Sequence, residues 1–109
     1  MGSYQLVDVL EVEARNGIFR ALTDQLGVTG FRINQLELAP SAEGLEHDHL
    51  ESDQEEVYAV VAGSGVLRIG GDEIPLHAGH FVHLPPDVRR QMVAGDQGLT
   101  WIGIGSTTA

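Results

Sequence analysis

Polar and apolar positions change period twice along this 109-residue chain. Between Asn16 and Gly27, the apolar residues Ile18, Phe19, Leu22 and Leu26 recur at helical spacing, and Gly27 stands where the turn would stop. That pattern predicts one short helix. From Phe31 the period shortens to two, with Phe31, Ile33, Gln35 and Glu37 alternating with Arg32, Asn34, Leu36 and Leu38 until Pro40, as expected of a strand. Beyond it lie the short apolar runs EVYAVVA, GVLRIG, EIPLH, HFVHLPP, RRQMVAG and LTWIGIG. Turn residues separate them: Gly63, Gly65, Gly70-Gly71-Asp72, Ala78-Gly79, Pro85-Pro86-Asp87 and Gly95-Asp96. Closely spaced strands with no helix between them predict an all-β antiparallel sandwich or barrel.

Composition narrows the chemistry. The chain has no cysteine, which excludes a disulfide frame and a thiolate metal site, so a metal would have to be held by His and carboxylate. Sixteen acidic residues against six basic ones give a formal charge of −10, which repels phosphate backbones and argues against nucleic acid as a partner. No stretch approaches the roughly 20 apolar residues that span a bilayer, and the start lacks a basic region followed by an apolar run. The expectation is a soluble, cytoplasmic protein with no membrane partner. An apolar fraction of 42% in a chain of this length is consistent with one domain.

The candidate chemistry lies in HDHLESDQEEVYAVVAGSG, residues 47–65. An extended chain carries residues i and i+2 on one face, so the imidazoles of His47 and His49 can point together into a barrel. A turn over residues 50–55 can bring a carboxylate from the next strand beside them, completing the two-His, one-carboxylate set that suits iron, zinc, manganese or nickel. Glu55 and Glu56 both remain candidates, because one residue of register exchanges the two faces of a strand. Against this reading stands a plain one, an HxH on a solvated loop followed by an exposed acidic face.

The run from Gly44 through His47, His49 and Glu56 to Gly63 resembles the first motif of the cupin superfamily, a Gly, an HxH, a Glu and a Gly seven positions after it. The stretch from Gly79 through Pro85-Pro86-Asp87 to Arg90 resembles the second, and the likeness runs from about residue 31 to 104. The resemblance implies an antiparallel jelly-roll β-barrel over residues 31–105, with residues 1–30 an arm whose short helix packs on it. It also implies His47, His49 and Glu56 as ligands of one divalent ion, and a homodimer.

The chain departs from the pattern in ways that bear on function. The link from His49 to Glu56 is longer than usual, Asp87 replaces the turn Gly, Ala94 replaces the final Asn, and Arg90 stands where the family places its fourth ligand, a His. A guanidinium has no lone pair to give a metal. Two arrangements follow. Arg90 pairs with Glu56 and leaves a metal-free barrel that binds a small ligand or serves as a scaffold, or a three-ligand metal site keeps open positions while Arg90 orients a small anionic substrate. Tyr58 and Met92 share strand parity with Glu56 and Arg90 respectively, so both are expected to line the cavity and, with Arg90, to contact the substrate. Gln91 falls on the opposite face. His77, His80 and His83 read as surface or interface histidines, with contact to the site the alternative for His80 and His83, and Phe31, Phe81 and Trp101 read as core or dimer contacts.

Overall fold

A computed structural model describes residues 2–107. After a 3-10 turn at Val9–Glu11 the chain forms β1 (Ala14–Arg15), β2 (Phe19–Ala21), α1 (Thr23–Leu26) and β3 (Phe31–Leu38). Then come β4 (Glu56–Ile69), β5 (Asp72–His77), β6 (Phe81–Leu84) and β7 (Gln91–Ser106). All pairings are antiparallel, in the order β1-β2-β3-β7-β4-β5, with β6 on the first part of β4. The all-β, barrel-like fold expected from the alternating pattern is the fold observed, and no helix among the described residues is long and apolar enough to cross a membrane.

The helix is shorter than its spacing suggested. Ile18, Phe19 and Leu22 look helical by period, yet Phe19–Ala21 pair with Asn34, Gln35 and Leu36 of β3. Only Thr23–Leu26 turn, closed by Gly27 at φ 71°. Pairing with β3, and with β1 on the other side of Phe19 and Arg20, satisfies the backbone there, and the bidentate contact of Arg20 with Glu37 at 2.6 and 3.3 Å joins β2 to β3. Isolated helices this short are not stable in water, so sheet pairing wins.

Two sets of expected turns are instead bends within continuous strands. EVYAVVA and GVLRIG form the single strand β4, and RRQMVAG and LTWIGIG largely form β7. Gly63 pairs with Leu99 and Gly65 with Ala94, so residues 95–98 bulge opposite Ser64. Gly63 has φ 78°, and a Cβ there would lie 2.1 Å from the Gly98 carbonyl oxygen. Glycine lets the strand bend where its partner approaches, without reversing. The bends also switch parity: Tyr58 and Val60 are buried on the first part of β4 and Leu67 on the second, while Met92 and Ala94 give way to Leu99 and Trp101 on β7. Each long strand thereby keeps an apolar row toward one core of Leu38, Tyr58, Leu67, Leu84, Met92 and Trp101, among others.

Candidate metal centre and its cavities

His47 and His49 lie on an extended segment outside the named strands. His47 bridges Arg90, with backbone hydrogen bonds at 2.9 and 2.8 Å in the two directions, and the His49 amide donates to the Pro86 carbonyl at 3.0 Å. These bonds hold the two imidazoles side by side, ring centroids 5.1 Å apart. They also explain why Arg90 belongs to the site, since it is the cross-strand neighbour of the first histidine.

Glu56 opens β4, opposite Leu84 on one side and Gly105 on the other. The register settles the choice of carboxylate: Glu56 turns inward to His49, whereas Glu55 turns outward and pairs with exposed His83. One donor atom each from His47, His49 and Glu56 lies within 4.8 Å of the others. His47 Nδ1 sits 3.1 Å from the Leu45 carbonyl, a contact that favours a proton on Nδ1 and leaves Nε2 with its lone pair. His49 Nε2 is buried and lies 2.9 Å from Glu56 Oε1, but at an angle that makes no hydrogen bond among the described residues. A buried imidazole nitrogen without a partner, beside a second imidazole and a carboxylate, is a donor set that fits one divalent cation.

Arg90 is fully buried, with 0% of its surface exposed. Its Nη2 donates to Glu56 Oε1 at 2.8 Å and its Nη1 to the Val88 carbonyl at 2.7 Å. Tyr58, also buried, donates its hydroxyl to the same carboxylate oxygen at 3.3 Å. Burial raises the Tyr58 phenol well above its ordinary range, and the negative charge of Glu56 adds to the effect, so the hydroxyl stays protonated and able to donate.

Two cavities meet at Leu36, His47 and Tyr58. The inner one, about 210 Å³, is walled by Leu36, Leu38, Tyr58, Met92, Trp101 and Arg90 among others. In it the sequence-derived residues Arg90, Tyr58 and Met92 share one space. Arg90 Nε and Trp101 Nε1 are buried there with no hydrogen-bond partner among the described residues. The outer cavity, about 240 Å³, contains the His47, His49 and Glu56 cluster together with Arg32, Asn34 and Gln54. Arg32, Asn34 and Trp101 join the cavities beyond the residues that the motifs point to, and the shared strand parity of Arg32, Asn34 and Leu36 is the sequence signal for the first two. Gln91 leaves the site to bond the Gly44 carbonyl at 3.0 Å. His77 and His80 stack on each other, 3.7 Å between centroids, away from both cavities.

The family model described as the cupin domain matches residues 34–105, and the chain belongs to this family. A cupin protein from Bacteroides fragilis superposes with a TM-score of 0.80 at 28% identity, covering 98% of this chain and 86% of that one. A sugar phosphate isomerase of the cupin superfamily from Silicibacter pomeroyi is 31% identical with a TM-score of 0.73, covering 83% of this chain and 59% of that one. A polyketide cyclase from Streptomyces resistomycificus shares the fold, with a TM-score of 0.81 at 20% identity over 95% of this chain and 80% of its own. No functionally curated protein matches the chain.

Proposed function

We propose that this protein binds one divalent metal ion through His47, His49 and Glu56 and uses it to act on a small organic molecule. The observation that carries the reading is the buried, unpartnered Nε2 of His49, within reach of a second imidazole and a carboxylate. Burying these groups together is costly unless something satisfies them. Three protein ligands would leave coordination positions open, and the metal when bound would supply a Lewis acid there. Zinc, iron, manganese and nickel all suit the donor set. Arg90 and Tyr58 hold the Glu56 carboxylate in place, and with Met92 they wall the inner cavity, where the free N–H groups of Arg90 and Trp101 can receive an oxygen of the ligand. An isomerase among the relatives and a cyclase among the proteins of the same fold are compatible with such chemistry and do not choose a reaction for this chain.

A second reading rests on the same Arg90 contact. At 2.8 Å from Glu56, the guanidinium neutralises the carboxylate, and a metal-free barrel that binds a small ligand or serves as a scaffold satisfies part of the polar cluster without an ion. Arg90→His separates the two. On the metal reading it adds a fourth ligand where His47 has its cross-strand neighbour, and zinc affinity by competition titration should rise about tenfold or more. Affinity that falls instead would mean that Arg90 supports the site, and no uptake by either protein would leave the metal-free barrel.

The reading includes a homodimer formed through the outer sheet face. Phe31 of β3 and Ile104 of β7 are 44% and 36% exposed there, beside Val57. Sedimentation equilibrium should give twice the chain mass, and a monomer at high protein concentration would remove this part of the proposal.

A further inference from the structure

The chain has six basic residues, all of them arginines, among sixteen acidic ones. Four are matched: Arg20 with Glu37, Arg68 with Glu43 and Glu73, Arg89 with Glu46 and Asp48, and Arg90 with Glu56. Arg15 and Arg32 have no carboxylate partner among the described residues. With such an excess of carboxylates, an arginine paired with none among the described residues needs a reason, and one of the two lines the outer cavity while the other packs on a residue of its wall. Arg32 lines the outer cavity, and the Arg15 guanidinium lies 5.7 Å from the ring centre of Phe19, another wall of that cavity.

The backbone makes room for them. Arg32 and Asn34 pair with Gly105 and Gly103 of β7, so no side chain stands opposite on the inner face. A Cβ at Gly105 would lie 2.6 Å from the Gln54 side-chain nitrogen, and one at Gly103 would sit 3.6 to 3.8 Å from Leu36 and Tyr58. Asn34 Oδ1 accepts from the Leu22 amide at 3.0 Å, which leaves its amide nitrogen as a donor with no protein acceptor among the described residues. Among the described residues Glu56 is the one carboxylate that lines this cavity, and Arg90 neutralises it. The outer cavity is therefore a locally cationic, donor-rich space in a strongly anionic protein.

We infer that the outer cavity is selective for a small organic carboxylate, whose carboxylate is bound by Arg32, with the Asn34 amide as a second donor and Arg15 adding charge at the rim. The planar guanidinium matches a carboxylate with two parallel hydrogen bonds. Phe19, Leu36 and Tyr58 give the rest of the molecule apolar walls, which favours a compact monocarboxylate over inorganic phosphate. This assigns to Arg32 the anion recognition that sequence alone placed on Arg90, whose charge is already spent on Glu56. The inference rests on the reading of this cavity as a small-molecule site, and it positions the anion beside His47 and His49.

The test is calorimetric titration of the full chain, metal-free and zinc-loaded, in a buffer free of phosphate and carboxylate. The probes are benzoate, its neutral counterpart benzamide, and inorganic phosphate. Benzoate should bind at least about tenfold more tightly than the other two, Arg32→Gln should lose about tenfold or more, and Arg32→Lys should recover part of the loss. Arg15→Gln should cost less, about threefold, because its charge acts from the rim. Benzamide or phosphate binding as well as benzoate, unchanged benzoate affinity in Arg32→Gln, or no benzoate binding in either metal state would each overturn the inference. Zinc content measured on the same samples keeps the two readings apart. Arg32-dependent benzoate binding without zinc uptake would remove the metal and leave the anion site, and zinc uptake without benzoate binding would do the reverse.

Discussion

On the proposed metal reading, His49→Ala is expected to purify with only background metal where the native protein purifies with about one equivalent of divalent ion per chain. The expectation follows from the surroundings of Nε2. It is buried with no hydrogen-bond partner among the described residues, so its removal subtracts the proposed ligand and, in the metal-free protein, only its 2.9 Å contact with Glu56, whose carboxylate keeps its bonds to Arg90 and Tyr58. The other imidazole nitrogen touches only the Ser52 hydroxyl, at 3.3 Å on an exposed turn. The variant should therefore keep its barrel, with far-ultraviolet circular dichroism and urea midpoint close to native. Elemental analysis of untagged protein, paired with urea unfolding of the apo form, reads both parts. Metal retained at the native level would mean that His49 is not a ligand. Metal lost together with the fold would make His49 a structural residue and leave the site undemonstrated.

Glu56→Ala should behave in the opposite way and destabilise the fold itself by about 3 kcal/mol or more in urea unfolding of the metal-free protein. Arg90 is fully buried and Glu56 is its one carboxylate partner among the described residues, so truncation leaves an uncompensated charge inside the barrel. Tyr58 loses its carboxylate acceptor in the same step. The double variant Glu56→Ala, Arg90→Met tests the cause. It removes the stranded charge and replaces it with an apolar side chain of similar reach against Leu36, Leu38, Met92 and Trp101, so it should regain most of the loss. A single variant as stable as native would show that water or the Val88 carbonyl suffices for Arg90. A double variant no better than the single would place the cost in packing rather than charge.

The contrast between the two variants separates functions that the cluster combines. His49 contacts the carboxylate without bonding to it, while Glu56 is the electrostatic partner of a buried cation and the acceptor of a buried phenol. An Arg at the position where the family resemblance implies a His ties the proposed third metal ligand to the stability of the fold.

The sequence by itself carried the fold class and most of the cluster. Alternating apolar positions from Phe31 onward and the absence of long helical periods were enough for an all-β fold, because strand pairing follows the period of the chain. The HxH spacing was enough to set His47 and His49 side by side, because an extended backbone repeats its faces every second residue. Tertiary structure decided what local pattern leaves open. Ile18, Phe19 and Leu22 fit a helix by spacing, but β3 offers Phe19–Ala21 a pairing edge. Gly63, Gly65 and Gly95-Asp96 read as turns, but β4 and β7 pass through them, since a glycine that bends a strand and one that reverses it look alike in sequence. The choice between Glu55 and Glu56 awaited the register of β4, the fate of Arg90 awaited its bridge to His47, and the absence of a carboxylate beside Arg15 and Arg32 became visible only once the carboxylates of the described residues had been placed. These are facts of distance between residues far apart in the chain, which no local pattern encodes.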